Sequence, residues 1–330
     1  MRSLLLALLV LVGACTSSLA DEVTGGEVSN TSSTLSVVET TTTPESTMTT
    51  LRLESITTEK SEALGLVTAT GVVVAVSQET PDGYLVVTPC GNEQVVAGGT
   101  PIGPVGVVID PGHGGEVDTG AVGANGLMEK DLNLVVAQSV EAKLIVRGIP
   151  VILTRTADYA SRLGVRTGLA DRLQADLLLS VHHNAPTPGP SQRPGTEVFI
   201  QHESAESRRL GGLVWTHVVA ALAPFRVDWS AAPDAGVLSV LSSRGNDAYG
   251  INRNAETVSV LAELGYLSNP PEAELFATSE YVEKAAQALV DAIEDYLGTD
   301  APGAGFVAEP RIFNPQPGIG AGACVDPVLE

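Results

Sequence analysis

The sequence predicts an α/β protein: a single twisted sheet with helices on both faces, plus a small N-terminal β appendage and a disordered tether. In residues 101–300, short apolar runs of strand length alternate with longer segments whose apolar residues recur at helical spacing. This alternation is typical of a sheet covered on both sides. The first aromatic residue is Tyr84, so the preceding chain lacks the large side chains of a packed core.

The N-terminus has the features of an export signal. Residues 3–14 are apolar and follow Arg2, but the run is shorter than the roughly 20 residues needed to span a bilayer. The run leads directly into Cys15 through Val-Gly-Ala, which resembles a lipobox, where the cysteine becomes lipidated. We therefore predict a signal peptide over residues 1–14 and lipidation at Cys15. The alternative is ordinary cleavage after Ala20.

Two segments precede the α/β region. Residues 15–62 are predicted to be a disordered tether, because residues 29–58 contain 17 Ser or Thr among 30 and cannot bury enough apolar surface to offset their ordering entropy. Residues 63–100 hold runs of β-branched residues separated by Pro-Asp-Gly and Gly-Asn. These runs predict two or three short strands with tight turns, forming a small β segment.

The elements of residues 101–300 follow from apolar spacing. The predicted strands are Val105–Asp110, Pro150–Thr154, Asp176–His182, Thr196–Gln201, Val237–Leu241 and Val258–Leu264. The predicted helices are Glu129–Arg147, Arg162–Gln174, Ser204–Ala223 and Ser279–Leu297. Between them, the polar segment Ser242–Asn254 is either a groove wall or lid, or an ordinary surface loop. Residues 301–330 are rich in proline and glycine and predict an irregular tail.

Charge and cysteine content limit the possible partners. The chain has 39 acidic and 18 basic residues, a net charge of −21, which argues against a surface that neutralises nucleic-acid phosphates.

If Cys15 carries lipid, Cys90 and Cys324 remain as an even pair in a disulfide-permissive compartment. A bridge between them would join the tail to the β segment, and two free thiols are the alternative.

Four residues suggest a metal site. His113 follows a strand in a glycine-rich loop, His182 closes another strand, Glu129 opens a helix, and Glu263 lies within an apolar strand. Residues just beyond the carboxyl ends of strands line the ligand crevice of an open α/β sheet. Two imidazoles and a carboxylate suit zinc with a fourth position open, as in catalytic sites. Taken singly, each residue also has an ordinary structural explanation.

Five sequence motifs follow one another in a fixed order. They are Asp-Pro-Gly-His-Gly-Gly at 110–115, Gly-Leu-Met-Glu-Lys-Asp-Leu-Asn-Leu at 126–134, Leu-Thr-Arg at 153–155, Ser-Val-His-His-Asn-Ala at 180–185 and Glu-Leu-Gly-Tyr-Leu-Ser-Asn at 263–269. With these motifs, the chain closely resembles, over about residues 105–297, the zinc-dependent N-acetylmuramoyl-L-alanine amidases of the type 3 family, which are bacterial cell-wall hydrolases. Five motifs in the same order make this resemblance highly specific.

The resemblance implies hydrolysis of the amide between N-acetylmuramic acid and L-alanine of peptidoglycan by a zinc-activated water. The zinc ligands would be His113, Glu129 and His182, binding one Zn²⁺. Glu263 would be the catalytic glutamate.

Three nearby residues also relate to the family pattern. Arg155 and Arg166 match family positions and are expected to hold loops by ion pairs. His183 departs from the family, which usually has a small residue there. His183 would either crowd the site or pack on the opposite face of the sheet from His182, and we expect the latter because successive strand side chains alternate.

Two other functions are considered beside the amidase. One is a zinc peptidase acting within the stem peptide, and the other is a non-catalytic wall-binding lipoprotein. The presence of all four positions favours an enzyme. The expected partners are peptidoglycan and, only through a lipid anchor at Cys15, a membrane; nucleic acid is not expected. The protein would be exported and held on the outer side of the cytoplasmic membrane or cell envelope, or else secreted to the cell wall.

Overall fold

The computed structural model describes residues 62–186, 188–315 and 323–330. The predicted signal peptide, Cys15 and all of the predicted tether except Glu62 lie outside these ranges. Within them, no helix is both long enough and apolar enough to cross a membrane.

A seven-stranded sheet forms the centre of the molecule. Its strands are β6 (Val107–Pro111), β7 (Val151–Leu153), β8 (Leu177–Asn184), β10 (Glu197–Ile200), β12 (Val237–Leu241), β13 (Ser259–Tyr266) and β14 (Arg311–Ile312). Their order is β14-β12-β10-β13-β8-β6-β7, and only the β10–β13 pair is antiparallel. The predicted strands of the α/β region are therefore present and pair in one sheet.

Helices flank both faces, which confirms the predicted fold class. The helices are α1 (Glu129–Val146), α2 (Leu163–Arg172), α3 (Ala205–Leu222), α4 (Gly250–Asn254), α5 (Pro270–Phe276) and α6 (Ser279–Gly298). In α1, Leu132, Val136, Val140 and Leu144 recur every four residues, so they share one face, and all four are buried against the sheet. Helices α3 and α6 bury apolar faces in the same core.

The opposite face of the sheet is covered partly by the appendage. Leu169 and Leu173, from α2 and its C-cap, and Ile251 of α4 pack there beside Leu64 and Val73 from the N-terminal segment. The small β segment thus completes the second core layer, which removes apolar sheet surface from water.

The appendage has more strands than the sequence predicts. Its five strands are β1 (Gly65–Val67), β2 (Val73–Thr80), β3 (Gly83–Val87), β4 (Glu93–Val96) and β5 (Thr100–Ile102), arranged antiparallel in the order β4-β3-β2-β1-β5. Strand β5 contains Pro101, a residue that argues against a central strand but is tolerated at an edge. Three-residue strands carry too little periodicity to be identified without their partners.

The described part of the C-terminal tail is largely irregular, as predicted, apart from the two-residue strand β14, but long-range contacts hold it in place. Besides the edge strand β14, it contains Cys324, which forms a disulfide with Cys90 with an S–S distance of 2.07 Å. Asp326 accepts a hydrogen bond of 2.7 Å from the backbone N–H of Cys90, and Leu329 is buried in the core of the appendage. The tail therefore contacts both the central sheet and the appendage.

Two more strands, β9 (Gly189–Ser191) and β11 (Trp229–Ala231), pair antiparallel as a separate ribbon. Sequence analysis identified neither of them, nor the short helices α4 and α5.

Candidate metal centre and its cleft

Three predicted ligands come together at one edge of the sheet. Strands β6 and β8 are parallel neighbours, so the loop containing His113 and the end of β8 containing His182 lie at the same edge. Glu129 is the first residue of α1, which packs over these strands. One potential ligand atom from each of the three residues lies within 4.8 Å of the other two.

The carboxylate of Glu129 lies between the two imidazoles. Its Oε1 is 3.1 Å from His113 Nε2 and 2.9 Å from His182 Nδ1. A Cβ on Gly112 would lie 2.2 Å from the His182 ring, and one on Gly120 would lie 2.4 Å from Glu129 Oε2. Glycine is therefore required at both positions for the three side chains to approach one another.

Asp118 supports His113 from behind. His113 Nδ1 lies 2.6 Å from Asp118 Oδ1, and metal-binding histidines commonly donate their second ring N–H to a carboxylate in this way. Burial acts to lower the pKa of His113, but Asp118 and Glu129 outweigh it and raise this pKa to about 10. The two carboxylates thus favour a positive charge at the position of the His113 ring. Asp118 was not among the residues predicted from the sequence. The one feature that could have indicated it is its acidic side chain in the same loop as His113.

Glu129 is held in place by several donors. The backbone N–H of Ala121 donates to its Oε2 at 2.7 Å, and the backbone N–H of His183 donates to its Oε1 at 3.2 Å. Burial acts to raise the pKa of Glu129, yet hydrogen bonds from His113 and His182 hold it well below its usual range. The carboxylate is therefore ionised, which is the form that binds a metal.

Glu263 lies beside this cluster without a full set of partners. It is paired in register with His182 across β13 and β8, and with Glu197 across β13 and β10. Within the described part of the chain, Glu263 Oε2 is buried with no hydrogen-bond partner. Burial, followed by the negative charges of Glu129 and Glu197, raises the pKa of Glu263 well above its usual range.

Two imidazoles and one carboxylate form a donor set that fits zinc with one position left open. Burying a carboxylate oxygen without a hydrogen-bond partner costs free energy, and a bound ligand or an ordered water can supply the missing hydrogen bond. The unpartnered oxygen of Glu263 is therefore consistent with a site whose remaining contacts come from bound molecules.

Two buried arginines hold the loop that carries His113. Arg166 pairs with Asp110 at 2.8 Å and donates to the carbonyl oxygen of His113 at 2.7 Å. Arg155 donates to the carbonyl oxygens of Pro111 and Gly112 at 2.9 and 3.0 Å. Arg166 thus uses the ion pair that the resemblance led us to expect, whereas Arg155 acts through backbone carbonyls.

We expect Asp110→Asn to lower the free energy of unfolding by about 3–5 kcal/mol near neutral pH, because Arg166 would remain buried without its counter-charge. Although burial acts to raise the pKa of Asp110, Arg166, Ser180 and Thr154 lower it to about 2. A carboxyl group whose pKa is lower in the folded than in the unfolded state stabilises the folded protein at pH values above its unfolded-state pKa. This stabilisation is lost as the pH falls through the folded-state pKa. The difference between wild type and variant should therefore shrink from about pH 4 towards pH 2.

Urea unfolding at several pH values measures this difference. Asp300→Asn is the matched control, because Asp300 is exposed and its substitution should leave the stability unchanged. A difference that is small near neutral pH, or that stays constant down to pH 2, would contradict the role given to Asp110.

His183 lies away from the ligand atoms. Its Nδ1 is 2.7 Å from Asn133 Oδ1, its Nε2 is 2.6 Å from the Tyr281 hydroxyl, and its ring contacts Phe276. Burial lowers its pKa to about 3, so the ring is neutral. It packs among α1, α5 and α6, in keeping with the expectation that it faces away from His182.

A cleft of about 1170 Å³ opens over the cluster. The ligand residues and Glu263 line it. So do Ser242, Ser243, Arg244 and Asn246 of the polar segment, for which the sequence left open a groove wall or lid and an ordinary surface loop. The tail residues Phe313, Asn314, Pro315 and Cys324 also line it, which the sequence did not indicate.

Comparisons with known proteins agree on one family. Residues 107–295 match the family described as Amidase_3, N-acetylmuramoyl-L-alanine amidase. The chain is 38% identical over 192 residues to the uncharacterized protein YqiI of Bacillus subtilis, covering 58% of this chain and 84% of that protein. It is 34% identical to the N-acetylmuramoyl-L-alanine amidase LytC of Bacillus subtilis, covering 58% of this chain but only 35% of LytC. Among solved structures, it resembles the N-acetylmuramoyl-L-alanine amidase AmiC2 of Nostoc punctiforme with a TM-score of 0.50 and 30% identity, covering 59% and 98% of the two chains.

Proposed function

The chain belongs to the Amidase_3 family of N-acetylmuramoyl-L-alanine amidases, which hydrolyse peptidoglycan, and from this membership we propose how its own residues carry out the reaction. The bond cleaved is the amide between the lactyl group of N-acetylmuramic acid and the L-alanine that begins the stem peptide. His113, Glu129 and His182 would hold one Zn²⁺, because their ligand atoms converge and their donor types suit this metal.

When bound, zinc supplies Lewis-acid polarisation of the scissile carbonyl and a lowered pKa for water. Glu263 is the proton carrier: it accepts a proton from the attacking water and delivers one to the departing alanine nitrogen. An amide needs this second transfer, since an unprotonated amine is a poor leaving group. Asp118 keeps the His113 ring oriented, and Arg155 and Arg166 hold the loop backbone.

The observation that carries this proposal is the position of the Glu263 carboxylate, whose Oε2 has no hydrogen-bond partner among the described residues, in register with His182 and lining the same cleft as the three ligands. A digest of purified peptidoglycan, analysed by mass spectrometry, tests it. An amidase releases intact stem peptides with a free L-alanine N-terminus. New termini within the stem peptide would indicate a zinc peptidase, and no products would indicate a non-catalytic wall-binding protein.

The protein is exported, as its substrate requires, and we propose that Cys15 carries the lipid that anchors it to the cell envelope. The apolar run before Val-Gly-Ala-Cys supports this anchor. Cys15→Ser should move the protein from the membrane fraction to the medium. Wild-type protein found in the medium rather than in the membrane fraction would argue for cleavage after Ala20 instead.

A further inference from the structure

The cleft has an outer wall built from two segments that are distant in sequence. One is the turn at residues 242–247, and the other is the tail at residues 313–315. Ser243 donates from its backbone N–H and its hydroxyl to Asn314 Oδ1, at 3.0 and 3.2 Å. The backbone N–H of Phe313 donates to the carbonyl oxygen of Leu241 at 2.8 Å. These bonds join the two segments into one surface, here called the outer wall.

The tail part of the outer wall is anchored on both sides. Before it, Arg311 in β14 pairs with Asp234 at 2.6 Å and with the buried carboxylate of Glu197. After it, the Cys90–Cys324 disulfide joins the tail to the appendage. The tail lies beyond residues 107–295, which match the family. The tail part of the outer wall therefore lies outside the matched region, whereas the turn lies within it.

Charge is unevenly distributed within the cleft. Among the described residues, the carboxylates that line it are Asp110, Asp118, Glu129 and Glu263, and all belong to the metal centre or its supporting contacts, with Arg162 and Arg166 beside them. The described residues of the turn and α4, by contrast, line the cleft with Arg244 and Arg253 and with no carboxylate. Asp247 of the turn is not among the lining residues and accepts a hydrogen bond from the backbone N–H of His202 at 3.1 Å, so the charges that this side presents to the cleft are positive, in a chain whose net charge is −21.

Arg244 is the better placed of the two arginines. It is exposed and lies next to Ser243, which is bonded to the tail, and its backbone N–H donates to Ser242 Oγ at 3.1 Å. Arg253 already donates from Nη1 to the carbonyl oxygens of Asp247 and Ala248. Substituting Arg253 would therefore disturb the turn, whereas substituting Arg244 removes a charge from a solvent-exposed position.

We propose that the outer wall is a subsite for carboxylate groups of the stem peptide, with Arg244 as a specificity-determining residue. This inference rests on the proposed amidase function. Of the two parts joined by the scissile amide, a glycan of N-acetylated sugars is uncharged, whereas the stem peptide carries free carboxylates. A guanidinium binds a carboxylate through charge-assisted, often bidentate, hydrogen bonds. The stem peptide thus extends from the metal centre towards the outer wall.

Paired substrates test the subsite. One is a muramyl peptide with free carboxylates on its stem, and the other is the same compound with those groups converted to carboxamides. Wild type should prefer the carboxylate form in kcat/KM by about tenfold, because one charge-assisted pair is lost in the amide. In Arg244→Gln this ratio should fall towards one, and in Arg226→Gln, an exposed arginine outside the cleft, it should be unchanged.

The ratio is measured within each variant, so a partial loss of folded protein cancels. A wild-type ratio near one, or a ratio that Arg244→Gln leaves unchanged, overturns the subsite while cleavage at the lactyl amide still supports the amidase. Failure of wild type to cleave that amide in either substrate overturns the proposed function, and the subsite with it.

Discussion

Glu263→Gln is expected to lower kcat on peptidoglycan by about 10²–10⁴-fold while the protein keeps its zinc. Glutamine has nearly the same shape as glutamate but cannot accept the proton of the attacking water. The three ligand side chains are unchanged, so metal content should remain at the wild-type level. In addition, a neutral amide is less costly to bury than a carboxylate whose Oε2 lacks a partner, so the variant should unfold at or above the wild-type temperature.

Three measurements on the same preparation check this result: turnover on purified peptidoglycan, zinc per chain, and Tm. Glu256→Gln serves as the control, because Glu256 is exposed and does not line the cleft, and it should match wild type in all three. Near-normal turnover by Glu263→Gln would remove Glu263 from the mechanism. A loss of turnover accompanied by loss of zinc would instead make Glu263 a contributor to metal binding.

His113→Ala is expected to abolish stable zinc binding and, with it, activity. The substitution removes one of three converging ligand atoms and leaves the Glu129 carboxylate with His182 alone. Asp118→Asn should have a smaller effect, about a 10–100-fold loss of zinc affinity, because it weakens the support of His113 without removing a ligand. His202→Ala should keep full zinc, since His202 is exposed and outside the cluster.

The variants are ranked by the zinc that each chain retains after dialysis against chelators of increasing affinity. The expected order of retention is wild type with His202→Ala, then Asp118→Asn, then His113→Ala. Retention of zinc by His113→Ala at the wild-type level would show that the ion binds elsewhere. This readout does not depend on turnover, so it separates metal binding from the proton transfer assigned to Glu263.

The chain's local patterns were enough to predict the strands of the central sheet other than β14, and its motifs indicated the residues of the candidate site, but the strand order could not be read from them. Apolar runs before the His113 loop and through His182 correspond to β6 and β8, and the four-residue spacing from Leu132 to Leu144 corresponds to α1. Each of these patterns is contained in one short segment. His113, Glu129, His182 and Glu263 were found the same way, because each lies in its own local motif and the motifs follow in order.

The supporting contacts could not be predicted in this way. Which acidic residue of the loop contacts His113 depends on the path of the loop, and the structure identifies Asp118. The contacts of the tail could not be predicted either, because the pairing of Arg311 with Glu197 joins residues 114 positions apart and leaves no periodic pattern.

The sequence by itself therefore determined the fold class, the order of the main elements and the identity of the four candidate site residues. Only the tertiary structure decided the five-stranded appendage, the hydrogen bonds that orient the ligands and the outer wall formed by the turn and the tail. The physical reason is that hydrophobic periodicity is a property of neighbouring residues. Long-range hydrogen bonds, ion pairs and cleft walls exist only once the folded chain brings distant residues together.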